Sequence, residues 1–388
     1  MEVCLSLTDA RTVSACHAVC RGWAAALRTH HKLWRRLCRQ RVARVPALAR
    51  LARLTGWGLA GRDAAGPEWL YRQEFWLASG EPAWRAGRLS RVTTVSLGGL
   101  FSCLQLCGRR LVVARLEGEL EIRSVEQPGQ PGRLLPPGHT GRVSCLAWAG
   151  GGARYLVSGG ADCKVLLWDL ARAAPAPLHA LTADSGVVRV WWLPGRLACW
   201  TRAGSLTVTP LQSGPPPAPL LRTTELPPAA SSLAVSTRFV VAGRTGEARL
   251  QVWCSQTGAR LPGLPCPAIG QPPSLPGLDI RHSLLVVLVP SCVQLWDLAA
   301  QPRPALLAAL PGFSLARATL TASALVAVTR QAHLLCWNLV RLLVGNTKPQ
   351  RVENKELPWG DLHVSKSCQT VLFGQQSNFG HISVFQWD

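Results

Sequence analysis

The sequence predicts a seven-bladed β-propeller preceded by a small α-helical region. Three observations lead there. A short apolar run recurs along the chain, in GELEIRSV, KVLLWDL, GSLTVTPL, RLQVWCS, CVQLWDL, HLLCWNL and HISVFQW. The shared aromatic position falls on Arg123, Trp168, Thr209, Trp253, Trp296, Trp337 and Phe385, at intervals of 45, 41, 44, 43, 41 and 48 residues. Repeats of about 40–45 residues ending in Trp-Asp are propeller blades, each needing neighbours to cover its faces. A second apolar run precedes each of these, as in RRLVVA (109–114), RYLVSG (154–159) and RFVVAG (238–243). Finally, the last run ends the chain one strand short of a blade, so SRVTTVSL (90–97) is expected to supply the missing strand and close the ring. Such closure removes an exposed sheet edge.

Taken in order, residues 1–38 read as a helical region, 39–87 as a helical linker and 88–388 as the propeller. Within a blade, a third run lies furthest upstream, as in FSCLQL (101–106), VSCLAW (143–148) and VVRVWW (187–192). Three such strands and a looser fourth make one blade. Period-2 alternation is weak because inner strands are buried on both faces. Pro-rich pieces such as 126–138 and 214–219 fall between blades or at outer strands.

One unit stands out. GHTGRVSCLAWAGGGARYLVSGGADCKVLLWDL (138–170) opens on Gly-His and closes on Trp-Asp. Here the chain resembles WD-repeat proteins. The resemblance implies a buried, hydrogen-bonded structural tetrad of His139, Ser158, Asp162 and Trp168, because buried donors and acceptors must be paired. The other blades lack the set, so their rigidity is expected from apolar packing.

The segment VCRGWAAALRTHHKLWRRLC (19–38) places Val19, Trp23 and Leu27 on one helical face, and Leu33, Trp34 and Leu37 on another. With LSLTDARTVSACHAVCRGW and KLWRRLC it resembles the C-terminal half of an F-box, Met1 falling inside that motif's first helix. The linker, ending in Trp84-Arg85-Ala86-Gly87 and followed by Cys103-Leu104-Gln105 and Cys107-Gly108, resembles that of F-box/WD-repeat proteins with phosphodegron receptors. The resemblance implies docking on the Skp adaptor of a cullin-based ubiquitin ligase through Leu5, Leu7, Val19, Cys20, Trp23, Leu33 and Trp34. It implies a non-catalytic subunit that recruits acidic or phosphorylated target proteins. The alternative is a WD-repeat scaffold for a protein or ribonucleoprotein complex with no ligase role.

Composition narrows the rest. Lys and Arg total 42 against 21 Asp and Glu, a formal charge of +21. Only five of the cations are Lys, leaving 37 Arg. That excess reads either as a surface for acidic peptide, phosphate or nucleic acid, or as bias travelling with abundant Ala, Gly and Pro. The apolar run Leu284–Val289 falls far short of the roughly 20 residues of a membrane helix. No basic segment opens the chain and fourteen Cys occur, so reduced thiols and a cytoplasmic or nuclear location are expected. Neither CHAVC (16–20) nor Cys103 with Cys107 makes a four-ligand metal set, and no nucleophile or phosphate-loop motif occurs; no metal, cofactor or catalytic residue is expected.

Candidate ligand residues are arginines at two repeated places, the inner strand and the turn before the Trp-bearing strand. In blade three these are Arg189 and Arg202, and in blade six Arg317 and Arg330. Arg115 and Arg244 take turn positions in blades one and four. An inner-strand Arg is the more telling, since a buried guanidinium without a partner is expensive. The planar fork of Arg suits phosphate and carboxylate.

Overall fold

The computed structural model describes 46–56, then 91–352 with short gaps in connecting segments, and the strands 361–364, 370–374 and 381–386. Its strands form antiparallel four-stranded sheets arranged as blades. Six are made of four consecutive strands: blade one spans 101–134, two 143–182, three 187–223, four 231–265, five 277–311 and six 315–352. The remaining sheet is composite. Arg91–Ser96 pairs with His381–Gln386, which pairs with Thr370–Gly374 and then Asp361–Val364. The expectation of a seven-bladed propeller is therefore corrected, while the helical region expected at 1–38 and most of the linker at 39–87 lie outside the described residues. Six blades are complete units of consecutive chain, joined by one sheet shared between the two ends of the sequence. Described helix amounts to two short segments, α1 (Pro46–Thr55) and α2 (Leu339–Leu343). Arg91–Ser96, from upstream of blade one, covers the edge of His381–Gln386 that an outer strand would otherwise leave open.

The core lies in the seams between blades. Val112, Ala114 and Leu120 of blade one pack with Leu146, Leu166 and Trp168 of blade two. Val157 and Val165 meet Val187, Val190 and Leu197 of blade three. Trp200 and Leu206 then meet Leu233 and Trp253 of blade four. Each middle strand is apolar on both faces for this reason; Leu284–Val289 reads LLVVLV because both sides are covered. Glycine matters at the hairpin of blade one. Gly118 has φ +96°, and a Cβ there would stand 2.7 Å from the Gly141 carbonyl oxygen.

Both helices serve one seam. Leu51 and Leu54 of α1 join Leu284 and Leu310 of blade five, and Leu339 and Leu342 of α2, in a single cluster. Leu54 is fully buried, which is worth roughly 1.5–3 kcal/mol. Pro46 begins α1, where a missing N–H costs nothing. Gly56 ends it at φ +69°. The freed Leu54 carbonyl accepts from the Ser283 backbone N–H at 2.9 Å and its hydroxyl at 3.2 Å. Helix α2 sits between the third and outer strands of blade six, and the Asn338 side chain caps it by accepting from the N–H groups of Val340 and Arg341.

Antiparallel pairing sends alternate turns to opposite ends of the propeller. Turns joining inner to middle strands, including 281–284 under α1, lie at the helix end. Turns joining middle to Trp-bearing strands lie at the other, the arginine end.

Candidate binding face

Blade two shows how the sequence builds a rigid turn. Trp168 Nε1–H donates to Ser158 Oγ at 2.9 Å, and Ser158 Oγ lies 2.7 Å from His139 Nε2. His139 Nδ1 lies 3.0 and 3.1 Å from the two Asp162 oxygens. One assignment satisfies every group: Ser158 donates to Nε2, and Nδ1–H donates to the carboxylate. Asp162 also accepts from the backbone N–H of Thr140 at 3.0 Å and of Lys164 at 3.2 Å. Burial pushes its carboxyl up, but these bonds outweigh it and hold it below the ordinary Asp range. The flanking glycines are demanded by crowding. A Cβ on Gly138 would stand 2.6 Å from the Trp168 ring, and one on Gly160 2.4 Å from Asp162. The tetrad lies within the blade and offers no group to a ligand.

Blade one solves the same problem differently. Glu121 is 3% exposed and takes Arg115 Nη2 on one oxygen and Arg123 Nε on the other, both at 2.6 Å. Arg115 also donates to the Leu97 carbonyl at 3.0 Å, and the Gly132 N–H adds a bond to Glu121. Burial raises the Glu121 carboxyl, while Arg123 and Arg115 pull it down, for a net lowering. Arg115 is thus placed in a structural triad. Arg123, at the aromatic position, has a side chain only 12% exposed and neutralises a buried acid. Blade three has a third arrangement. The Asp184 carboxylate accepts from Ser205, whose hydroxyl lies 2.8 Å from Thr201 Oγ1, and chiefly that Ser205 bond lowers the Asp184 carboxyl. The expectation that blades without the tetrad depend on apolar packing is therefore corrected for blades one and three.

The candidate arginines separate. The blade-three inner strand bulges between Val187 and Arg189, and the blade-six strand between Leu315 and Arg317. Arg189 and Arg317 thus hold the same place, first after the bulge, and both are exposed. In blades one and two that place belongs to Cys103 and Cys145. Arg202 is exposed on the turn of blade three, its N–H donating to the Gly186 carbonyl at 2.8 Å. Pairing of Val187 with Thr201 sets Arg189 and Arg202 at one end of one blade. Arg317 stands three blades away. Arg244 makes a half-exposed pair with Glu247 at 3.5 Å. Arg330, and the adaptor-docking residues Leu5, Leu7, Val19, Cys20, Trp23, Leu33 and Trp34, lie outside the described residues.

Sequence reasoning missed the neighbour that orients Arg189. Its guanidinium lies 5.2 Å from the centroid of the Trp191 ring, a cation–π contact that holds the fork at the surface. The i, i+2 spacing within a strand was the available signal, since such residues share a face. Beneath, burial pushes the thiols of Cys145 and Cys199 up to about 12, which keeps them neutral and unreactive. Among the described residues no cluster of His, Cys, Asp and Glu could hold a metal ion, and no helix is long and apolar enough to cross a membrane.

This architecture agrees with what the chain is similar to. The WD domain, G-beta repeat family matches residues 129–169, the blade that carries the tetrad. The propeller thus contains a WD repeat. The β-propeller domain of Cps50 (Swd1) from Myceliophteria thermophila superposes with a TM-score of 0.54 at 16% identity, covering 77% of this chain and 99% of that one. A chain of the mitotic checkpoint complex aligns over 63% of this chain and 79% of its own, with a TM-score of 0.49 and 18% identity. No curated protein sequence matches.

Proposed function

We propose that this chain is the substrate-recognition subunit of a Skp–cullin–F-box ubiquitin ligase. Its propeller holds an acidic or phosphorylated segment of a target at the arginine end, and the protein itself is non-catalytic. The observation that carries the target half is Arg189: a charged inner-strand residue, exposed, braced on Trp191 and accompanied by Arg202. The ligase half rests on the sequence at 19–38. Helix α1, which follows that region, sits at the end opposite Arg189, so adaptor and target would not compete for one surface.

Two tests separate this from a scaffold without a ligase role. Arg189→Ala is expected to weaken binding of a phosphopeptide by roughly 1.5–3 kcal/mol, about ten- to a hundredfold, as for a hydrogen bond to a charged group. Titration calorimetry at two salt concentrations reads it, and unchanged affinity would move the binding face elsewhere. For the adaptor, the full chain should capture the Skp protein in a pull-down. Trp23→Ala with Trp34→Ala should abolish capture without altering thermal unfolding of the propeller. Failure of the unaltered chain to bind would favour the scaffold reading.

A further inference from the structure

The two ends of the propeller differ in charge. Every exposed carboxylate among the described residues, Glu117, Glu119 and Asp184, lies at the arginine end. At the helix end the carboxylates are already engaged. Asp169 is clamped by Arg154 at 3.0 and 2.8 Å, Asp279 accepts from Thr319 and from the Leu320 N–H, and Asp297 accepts from the Ala299 N–H. Exposed cations stand at both ends, Arg142, Arg189, Arg202, Arg249 and Arg317 at the arginine end among them, but at the helix end no exposed carboxylate of the described residues stands with them. There they include Arg50 and Arg53 on α1, Arg238 in blade four, Arg303 in blade five, and Arg341 and Lys348 on and just after α2.

The elements that carry these cations pack against one another. Arg238 lies close enough to His282 for its charge to act on that ring, and the His282 side chain fills the space beside Gly56 at the end of α1. Leu51 and Leu54 bind α1 to α2 through Leu339 and Leu342, so the helix that carries Arg341 packs against the one that carries Arg50 and Arg53. Arg238 is braced on the Phe239 ring at 5.5 Å, with the aromatic buried and the charge outward.

We infer that the helix end of the propeller, across α1, α2 and blades four to six, is a binding surface for the phosphate backbone of single-stranded RNA. The inference does not rest on the ligase reading and uses the end opposite Arg189. An acidic protein is the weaker fit because a protein interface needs an apolar centre. Of the large apolar side chains exposed at this end, Val344 at 67% and Leu306 at 48% stand near the named cations, on different blades and with no apolar centre between them among the described residues. A lipid surface likewise calls for apolar anchors beside the charge. Phosphate contacts need only spaced cations, and they position a strand without reading its sequence.

The test uses the full chain and a short unstructured poly-uridine RNA, with binding measured against salt. The triple variant Arg238→Gln, Arg341→Gln and Lys348→Gln should lower the slope of log affinity against log salt by about 2, at roughly 0.7 per single-strand phosphate contact. All three side chains are exposed, so thermal unfolding should be unchanged; each single variant should lower the slope by about a third as much. Arg189→Gln with Arg202→Gln, at the other end, should leave RNA binding unmoved. The inference is overturned if the triple variant keeps the parent slope, or if the arginine-end pair carries the loss. It is also overturned if polyglutamate or anionic vesicles bind through these cations while RNA does not.

Discussion

Trp168→Ala is expected to lower the unfolding free energy by about 3–5 kcal/mol, the range for removing a large aromatic from a core. Trp168 is 1% exposed and packs in the seam between blades one and two with Val112, Ala114 and Leu166. Its indole N–H is also the donor to Ser158 Oγ, so the cut reaches the tetrad. Trp168→Phe keeps most of the packing and removes only that donor. It should cost far less, about 1–3 kcal/mol for one buried partner lost. Chemical denaturation of both variants reads the difference. Equal losses would mean that the hydrogen bond governs this blade, and a loss below about 1 kcal/mol for the Ala variant would contradict the packing described here.

The third strand of every sheet could be located from sequence because its apolar pattern repeats where side chains are covered on two sides. Positions 123, 168, 209, 253, 296, 337 and 385 all fall on such strands. The tetrad was legible for a different reason: the resemblance of 138–170 to WD repeats implied it, and the structure adds the crowding that calls for Gly138 and Gly160. Closure by 90–97 followed from counting strands. The blade-one triad was not legible, because the sequence does not show Glu121 facing inward between two arginines. Nor could sequence place α1, since Ser283, which binds its last turn, lies 229 residues downstream of Leu54. The arginine candidates were sorted only by geometry: Arg115 is engaged inside a blade, Arg244 pairs at the surface, and Arg189 and Arg202 share an exposed end.

Glu121→Ala should destabilise the propeller on the same scale, by about 3–5 kcal/mol, because it removes the only carboxylate of an almost buried triad. Arg115 and Arg123, 20% and 12% exposed, would keep their charges with no acid between them, and the Gly132 N–H would lose an acceptor. Deleting one cation is milder, since the other still neutralises Glu121; Arg123→Ala should cost less than Glu121→Ala. A triple replacement of Glu121, Arg115 and Arg123 by apolar residues of similar volume should recover much of the loss, because the charges are then removed together. The pH dependence has a definite sign. The folded-state Glu121 carboxyl is held below its ordinary value, so the unfolded chain takes up the proton first. Its contribution is therefore full above the ordinary Glu range, near pH 4.3, and is lost as pH falls through the lower folded value. Asp162, lowered by His139 and two backbone N–H groups, adds a loss of the same sign. Denaturation followed from neutral to acid pH should show stability falling below about pH 5, and Glu121→Gln should flatten part of that fall. An unchanged acid limb in Glu121→Gln would show that the triad does not set the acid stability of this fold. Restored stability in the triple apolar variant would separate charge burial from the packing of the strand itself.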